Sequence, residues 1–214
     1  MSHMPKGRFA VWLGGVIACL VLLGAGIAYI VVGVNGRNEV SNTVAREHIV
    51  GTPDMTPTLI REEIAKSGLK NVSDVPTCTV AGKAVKNGET AKCFASYMRI
   101  HALLASNGQT YAQMGQFLMR DGTPTSDETK AAIDPVTKKP VQNTARNTWV
   151  TETALTTGLN MAFFAEQVSM FGIVMGICML VIGVGLGILT VYIFGLAPWR
   201  TPGEVPADPA PATK

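Results

Sequence analysis

Two long stretches without a single charged side chain dominate this sequence. The first runs from Phe9 to Val34 and the second from Val168 to Trp199. A helix needs about 20 apolar residues, at about 1.5 Å rise each, to cross the hydrocarbon core of a bilayer. Both stretches exceed that length, and apolar runs this long are untypical of the core helices of soluble proteins. The sequence therefore predicts two transmembrane helices.

These stretches predict a membrane protein of the mainly α class, in which a two-helix transmembrane hairpin carries a small, mostly helical, disulfide-containing extracytoplasmic domain. The first stretch is too long for the apolar region of a signal peptide, normally about 7–15 residues, so we expect an uncleaved anchor. The last segment is rich in Pro and Ala, which is typical of disorder. The predicted segments are a cytoplasmic N-terminus (1–8), a first transmembrane helix (9–34), the extracytoplasmic domain (35–167), a second transmembrane helix (168–197) and a disordered cytoplasmic tail (198–214).

The short charged flanks of the two stretches indicate the orientation. Lys6 and Arg8 precede the first stretch and Arg200 follows the second, and basic residues accumulate on the cytoplasmic side of membrane helices. Trp12 and Trp199 would then lie at the same membrane interface, as an aromatic belt requires. We therefore expect a plasma-membrane protein with both termini in the cytoplasm and the central domain outside it.

Cys78 and Cys93 are predicted to form a disulfide in the central domain. A turn at Asn87-Gly88 lets the chain double back between them. The bridge would close a loop of about 15 residues, worth about 3 kcal/mol in the chain-entropy treatment. Disulfides persist outside the cytoplasm, which agrees with the expected orientation. Free thiols and a redox-active pair are the alternatives, although the Cys-x-x-Cys spacing that lowers a thiol pKa is missing from the sequence.

Four helices are expected around and beyond this pair. Their predicted extents are a helix that begins at Thr56-Pro57 and stops at Gly68, a helix over Thr90–Ala105, a shorter one over Tyr111–Met119, and one that starts near Gln142 and runs into the second transmembrane stretch.

Small residues recur at helical spacing in both apolar stretches. They let helix backbones approach closely, which is how helices associate in lipid. The predicted contact face pairs the two stretches with each other or with helices of a larger complex, although glycine is also common in membrane helices for no packing reason. The predicted helix-packing residues are Gly14, Ala18 and Ala25 in the first stretch and Gly172, Gly176, Gly183 and Gly187 in the second.

Nothing in the sequence predicts a catalytic site, a cofactor or a metal. A metal site would have to combine Cys78 and Cys93 with His48 or His101, and this spacing matches no zinc pattern. His101 lies on the apolar stripe of its helix and is expected to be a packed, hydrogen-bonded core residue. Glu166 precedes the second apolar run and is expected at the interface or in a partner contact. The net charge of +3, without a basic stripe, indicates no nucleic-acid partner.

The stretch TVAGKAVKNGETAKCFASYMRIHALLASNGQTYAQM resembles a group of actinobacterial two-pass membrane proteins. The shared elements are Ala81-Gly82-Lys83, Asn87-Gly88, His101-Ala102-Leu103 and Gly108-Gln109-Thr110-Tyr111-Ala112. The resemblance implies the order span, outer domain, span, in the plasma membrane of an actinobacterium. These proteins are often labelled aromatic ring-opening dioxygenases, but no iron-ligand set that would match the label is evident in this sequence.

Three functions follow as hypotheses from these features. The first is a non-catalytic accessory subunit of a larger plasma-membrane complex, whose partners are the lipid bilayer and other integral membrane subunits. The respiratory cytochrome bcc–aa3 supercomplex of actinobacteria carries small subunits of this kind and is the first partner expected. The second is a membrane-anchored extracytoplasmic sensor or ligand-binding module. The third is a thiol-redox enzyme that uses Cys78 and Cys93.

Overall fold

A computed structural model of the chain describes residues 6–70 and 72–193. Over these residues the fold is mainly helical, as predicted. The predicted tail, the end of the second predicted span and the first five residues lie outside the described residues. The helices are α1 (Lys6–Arg46), α2 (Pro57–Ser67), α3 (Gly88–Ala105) and α4 (Thr144–Val191).

Helices α1 and α4 are both long and apolar enough to cross a membrane. Helix α1 continues beyond the predicted end of the first span as far as Arg46. Helix α4 joins the helix predicted from Gln142 to the second span in a single element of 48 residues. Since about 20 residues suffice to cross a bilayer, each helix is longer than one membrane span by several turns.

The described chain divides into two compact units. The first contains α1 up to Val31 and α4 from Gly172, and the second contains Val32–Phe171. The second unit holds a core of buried apolar side chains. The most deeply buried of its large side chains are Met55, Ile60, Val80, Val85, Tyr97 and Ile100.

The two ends of α2 lie at the capping residues from which the helix was predicted. Thr56 is the N-cap, and its hydroxyl oxygen accepts a hydrogen bond from the backbone N–H of Leu59 at 3.2 Å. Pro57 is the first helical residue, where its missing N–H carries no penalty. Gly68 ends the helix with a left-handed φ of 72°. The prediction for this helix is confirmed.

Helix α3 begins two residues earlier than predicted, and the hairpin-type turn expected at Asn87-Gly88 is wrong. Asn87 is instead the N-cap of the helix and forms a capping box with Thr90. The Asn87 side chain accepts from the Thr90 N–H at 2.9 Å, and the Thr90 hydroxyl accepts from the Asn87 N–H at 3.1 Å. Both residue types that favour a turn also favour a helix start, so the sequence signal was ambiguous.

The helix predicted over Tyr111–Met119 is also wrong. The chain forms a single 3-10 turn at Tyr111–Gln113 and then a two-residue strand, β1 (Phe117–Leu118), paired antiparallel with β2 (Pro124–Thr125). The Leu118 N–H donates to the carbonyl oxygen of Val141 at 2.9 Å. These long-range backbone bonds use groups that a helix would have to satisfy internally, so tertiary pairing overrides the local helical pattern.

Candidate functional site

Large apolar side chains cover most of the surface of the first unit. Val21 and Ile27 of α1 and Val181 and Ile188 of α4 are each more than half exposed. Contiguous apolar surface of this kind is rare on proteins that face water. The first unit therefore suits contact with the hydrocarbon of a bilayer.

The backbones of α1 and α4 touch at Gly26 and Gly176, which are both buried. A methyl group placed on Gly176 would lie 2.6 Å from the carbonyl oxygen of Gly26. A methyl group on Gly26 would lie 2.9 Å from the carbonyl oxygen of Gly176. Side chains do not tolerate contacts this short, so the approach depends on glycine in both helices.

Two further glycines of α4 receive larger side chains of α1. The Cβ position of Gly183 lies 3.2 Å from Leu22 and 3.1 Å from Leu23, and that of Gly187 lies 3.1 Å from the Cys19 Sγ atom. The Cys19 thiol also donates to the carbonyl oxygen of Gly183 at 3.2 Å. Glycine on one helix thus meets a bulkier residue on the other.

The face that α1 turns toward α4 differs by one residue from the predicted face. Gly14 has open space around its Cβ position, whereas that of Gly15 lies 2.8 Å from the Thr190 hydroxyl. Ala18 is exposed and Ala25 is half-buried. One residue rotates the contact line by about 100°. The prediction aligned small residues with small residues. In the structure Gly176 of α4 meets Gly26 of α1, whereas Gly183 meets Leu22 and Leu23 and Gly187 meets Cys19.

The predicted glycines of α4 lie along one side of that helix. Gly176 and Gly183 are buried, and Gly172 and Gly187 are half-buried. Gly176, Gly183 and Gly187 contact α1, as described above.

The predicted disulfide between Cys78 and Cys93 is confirmed, with the two Cα atoms 6.1 Å apart. Cys93 is buried in α3, while Cys78 is exposed on the irregular segment before it. The hydroxyl of the fully buried Tyr97 donates to the Cys78 carbonyl oxygen at 2.6 Å. The bridge and this hydrogen bond fix the same point of the segment to α3. In the structure the two cysteines hold the fold together, rather than lying free as thiols.

Glu166 is buried inside the second unit, where it joins α4 to two other elements. One carboxylate oxygen accepts from the backbone N–H of Gly88 at 2.6 Å, and the other pairs with Arg37 at 3.2 Å. Gly88 is the first residue of α3, so the carboxylate lies at the positive end of that helix. Glu166 thus has an intramolecular role that its position in the sequence did not reveal.

A second polar cluster lies where α2 and α3 meet. The His101 Nε2 atom is 2.6 Å from the Asp54 carboxylate, and Glu63 of α2 completes the group. One potential ligand atom from each of the three side chains lies within 4.8 Å of the other two. His101 is hydrogen-bonded, as expected, but it is half-buried rather than part of the core. This cluster was not predicted from the sequence.

The ionisation of this cluster follows from its contacts. Partial burial is the largest influence on Asp54 and raises its pKa, but hydrogen bonds from Thr52 and from its own backbone, with the charge of His101, lower the pKa below the ordinary 3.8. Burial raises the pKa of the neighbouring Tyr97 above its ordinary value; the charge of Arg61 opposes this shift and that of Asp54 adds to it. Asp54 therefore stays an anion at neutral pH and can bind a cation.

A pocket of about 440 Å³, lined in part by His101, lies between α3 and the start of α4. Its walls combine apolar side chains of α3 with hydroxyl and amide groups of α4. Glu152 contributes a carboxylate that is only 4% exposed. The full lining is Met98, His101, Ala102, Ala105, Thr144, Asn147, Thr148, Thr151 and Glu152.

The described part of the chain offers a disulfide, two polar clusters and a pocket. The cysteines of the second unit are tied in a disulfide, and its polar clusters hold helices together or could ligate a cation. Comparison of the chain with protein families, with curated proteins and with solved structures found no match.

Proposed function

We propose that this protein is a non-catalytic accessory subunit of a larger plasma-membrane complex. In this proposal α1 and α4 form a transmembrane hairpin with both termini in the cytoplasm, and the second unit is the extracytoplasmic domain. The observation that carries it is the glycine contact between α1 and α4, which leaves large apolar side chains pointing away from the pair. That outer surface is available to lipid and to other membrane subunits.

The orientation is supported by the disulfide of the second unit. A bridge between Cys78 and Cys93 persists where the environment is oxidising, outside the cytoplasm. The basic flanks Lys6, Arg8 and Arg200 favour the same orientation. A membrane-impermeant maleimide tests it with two single-cysteine reporters, Thr137→Cys in the second unit and Thr201→Cys in the tail. Labelling of intact cells should reach the first reporter alone, and labelling of the second alone would reverse the topology.

The first partner proposed is a respiratory assembly of the cytochrome bcc–aa3 type. This choice rests on the resemblance to actinobacterial two-pass proteins in the segment from Thr79 to Met114. The test is mild-detergent extraction of native membranes, followed by affinity purification of the tagged protein and native electrophoresis. Haem absorbance and cytochrome subunits should accompany the protein at high mass. Migration as a free monomer or dimer would count against any complex, and a high-mass band without haem would reject the respiratory partner alone.

A membrane-anchored sensor or binding module is the second candidate. The observation that favours it is the pocket beside His101, with the buried carboxylate of Glu152 in its wall. A carboxylate so placed favours a ligand with a cationic or hydrogen-bond-donating group. Native mass spectrometry of the purified protein should then reveal a bound small molecule. Glu152→Gln should release it, and Glu128→Gln, on an exposed turn, should not.

A further inference from the structure

The cluster of Asp54, Glu63 and His101 has the composition and spacing of a metal site. We propose that these three side chains bind a divalent cation of the zinc class. The inference is independent of the proposed function, because a structural or regulatory metal suits an accessory subunit and a sensor alike. All three residues lie in the second unit.

The distances in the cluster suit a small divalent ion. The His101 Nε2 and Asp54 Oδ2 atoms are 2.6 Å apart, and one oxygen of Glu63 lies within 4.8 Å of both. Zinc binds histidine nitrogen and carboxylate oxygen at about 2.0–2.2 Å in tetrahedral geometry. Ligand atoms around such an ion lie a little over 3 Å apart by that geometry. Small side-chain rotations therefore bring all three atoms to one ion.

Glu63 is the residue that points most directly to a ligand. It is half-buried, yet it makes no hydrogen bond or ion pair with any residue in the part of the chain that the structure describes. Its carboxylate faces that of Asp54, which stays ionised. Two carboxylates this close repel each other, and a cation between them removes the repulsion. A metal thus explains why an unpaired carboxylate lies beside the contact between Asp54 and His101.

The three ligands are mounted on well-packed elements. Asp54 precedes Met55, which is 1% exposed, in a turn that leads directly into α2. Glu63 lies one turn after the fully buried Ile60, and His101 one turn after the fully buried Tyr97. Ligands held on rigid, buried supports lose little freedom when a metal binds.

The ligand types select among divalent ions. One imidazole and two carboxylates form a mixed nitrogen and oxygen set, which suits zinc better than calcium or magnesium, since these ions prefer oxygen alone. Three protein ligands leave a fourth position for water or another ligand.

The decisive experiment compares Glu63→Gln with Glu62→Gln, the adjacent and exposed glutamate of α2. Zinc chloride is titrated into the full-length protein in detergent, purified with a tag that contains no histidine, and binding is measured by calorimetry. Removal of groups that support a metal weakens binding about 10- to 100-fold, and loss of a direct ligand should do at least as much. We expect this loss for Glu63→Gln and wild-type affinity for Glu62→Gln.

A second pair of variants separates this site from adventitious binding to histidine. His101→Gln should lose zinc affinity as Glu63→Gln does, and His48→Gln, in the same unit but not a member of the cluster, should keep it. Unfolding curves in the presence of a chelator show whether each variant still folds. Equal zinc affinity in wild type and Glu63→Gln would overturn the proposal, as would a loss seen equally with His48→Gln. The native electrophoresis described above does not depend on zinc, so the two proposals fail separately.

Discussion

Gly26 and Gly176 bring the backbones of α1 and α4 into contact, each lying where a side chain on the other would strike a carbonyl oxygen. Gly176→Ala should therefore force the two helices apart. Overpacking of this kind costs about 1–3 kcal/mol. Thermal unfolding in detergent measures the effect. Gly185→Ala is the control because its Cβ position is open; an equal loss in both variants would contradict the contact.

The contact between Gly187 and Cys19 permits a direct chemical test of the same helix pair. The Cys19 Sγ atom lies 3.1 Å from the Cβ position of Gly187, within reach of a disulfide. Gly187→Cys should cross-link to Cys19 under mild oxidation, in a background where Cys178 is serine. Loss of maleimide labelling and mass spectrometry of the linked peptides detect the bond. Gly185→Cys should stay a reduced thiol and remain available to the maleimide, since nothing lies within 4 Å of its Cβ position.

The sequence predicts the helices themselves better than the faces through which they touch. Apolar length predicts α1 and α4, and the cap residues Thr56 and Gly68 predict α2, because each signal acts within a few residues. On α1 it is Gly15, rather than the predicted Gly14, that meets α4, and this choice depends on which residue α4 presents opposite it. Helical spacing identifies a stripe but does not fix its rotation.

The polar clusters could not have been predicted, for a different reason. Glu166 meets Gly88 across 78 positions of sequence, and nothing in the intervening segment predicts the pairing. Asp54, Glu63 and His101 likewise come from three separate elements that only tertiary packing brings together. No local spacing rule applies to ligands assembled in this way.

Glu166 is expected to stabilise the second unit through its charge. Glu166→Gln keeps an oxygen for the Gly88 N–H but removes the ion pair with Arg37 and the interaction with the helix end. The loss should be about 1–2 kcal/mol in the free energy of unfolding. Glu39→Gln is the matched control, because Glu39 is exposed and its ion pair with Arg46 is long, at 4.0 Å. Chemical unfolding followed by tryptophan fluorescence distinguishes the two; equal stability of both variants would refute the role.

The disulfide should contribute stability rather than reactivity. Replacing both Cys78 and Cys93 by serine opens a loop with a sequence separation of 15. The expected loss is about 3 kcal/mol in the free energy of unfolding. Reduction of the wild type should lower the unfolding midpoint equally, and Cys19→Ser should leave it unchanged. A double variant that unfolds at the wild-type midpoint would contradict this account.

Asp54 should make the second unit sensitive to acid. Partial burial raises its pKa. The hydrogen bonds from Thr52 and its own backbone, together with the charge of His101, lower the pKa by more, so the net value lies below the ordinary 3.8. A depressed carboxyl pKa means that the unfolded chain takes up the proton first, so folding is favoured above the unfolded pKa and the benefit disappears as the pH falls through the folded one. The contribution should be complete above about pH 5 and lost below the lowered value.

The measurement is the unfolding midpoint of the wild type and of Asp54→Asn between neutral pH and pH 2.5. Asp121, Asp127 and Asp134 also have pKa values lowered by turn hydrogen bonds, and they titrate in the same range in both proteins. The difference between the two curves therefore isolates Asp54. We expect the wild type to be more stable at neutral pH and the curves to converge as the carboxylate is protonated. Parallel curves would show that the Asp54 charge contributes nothing to folding.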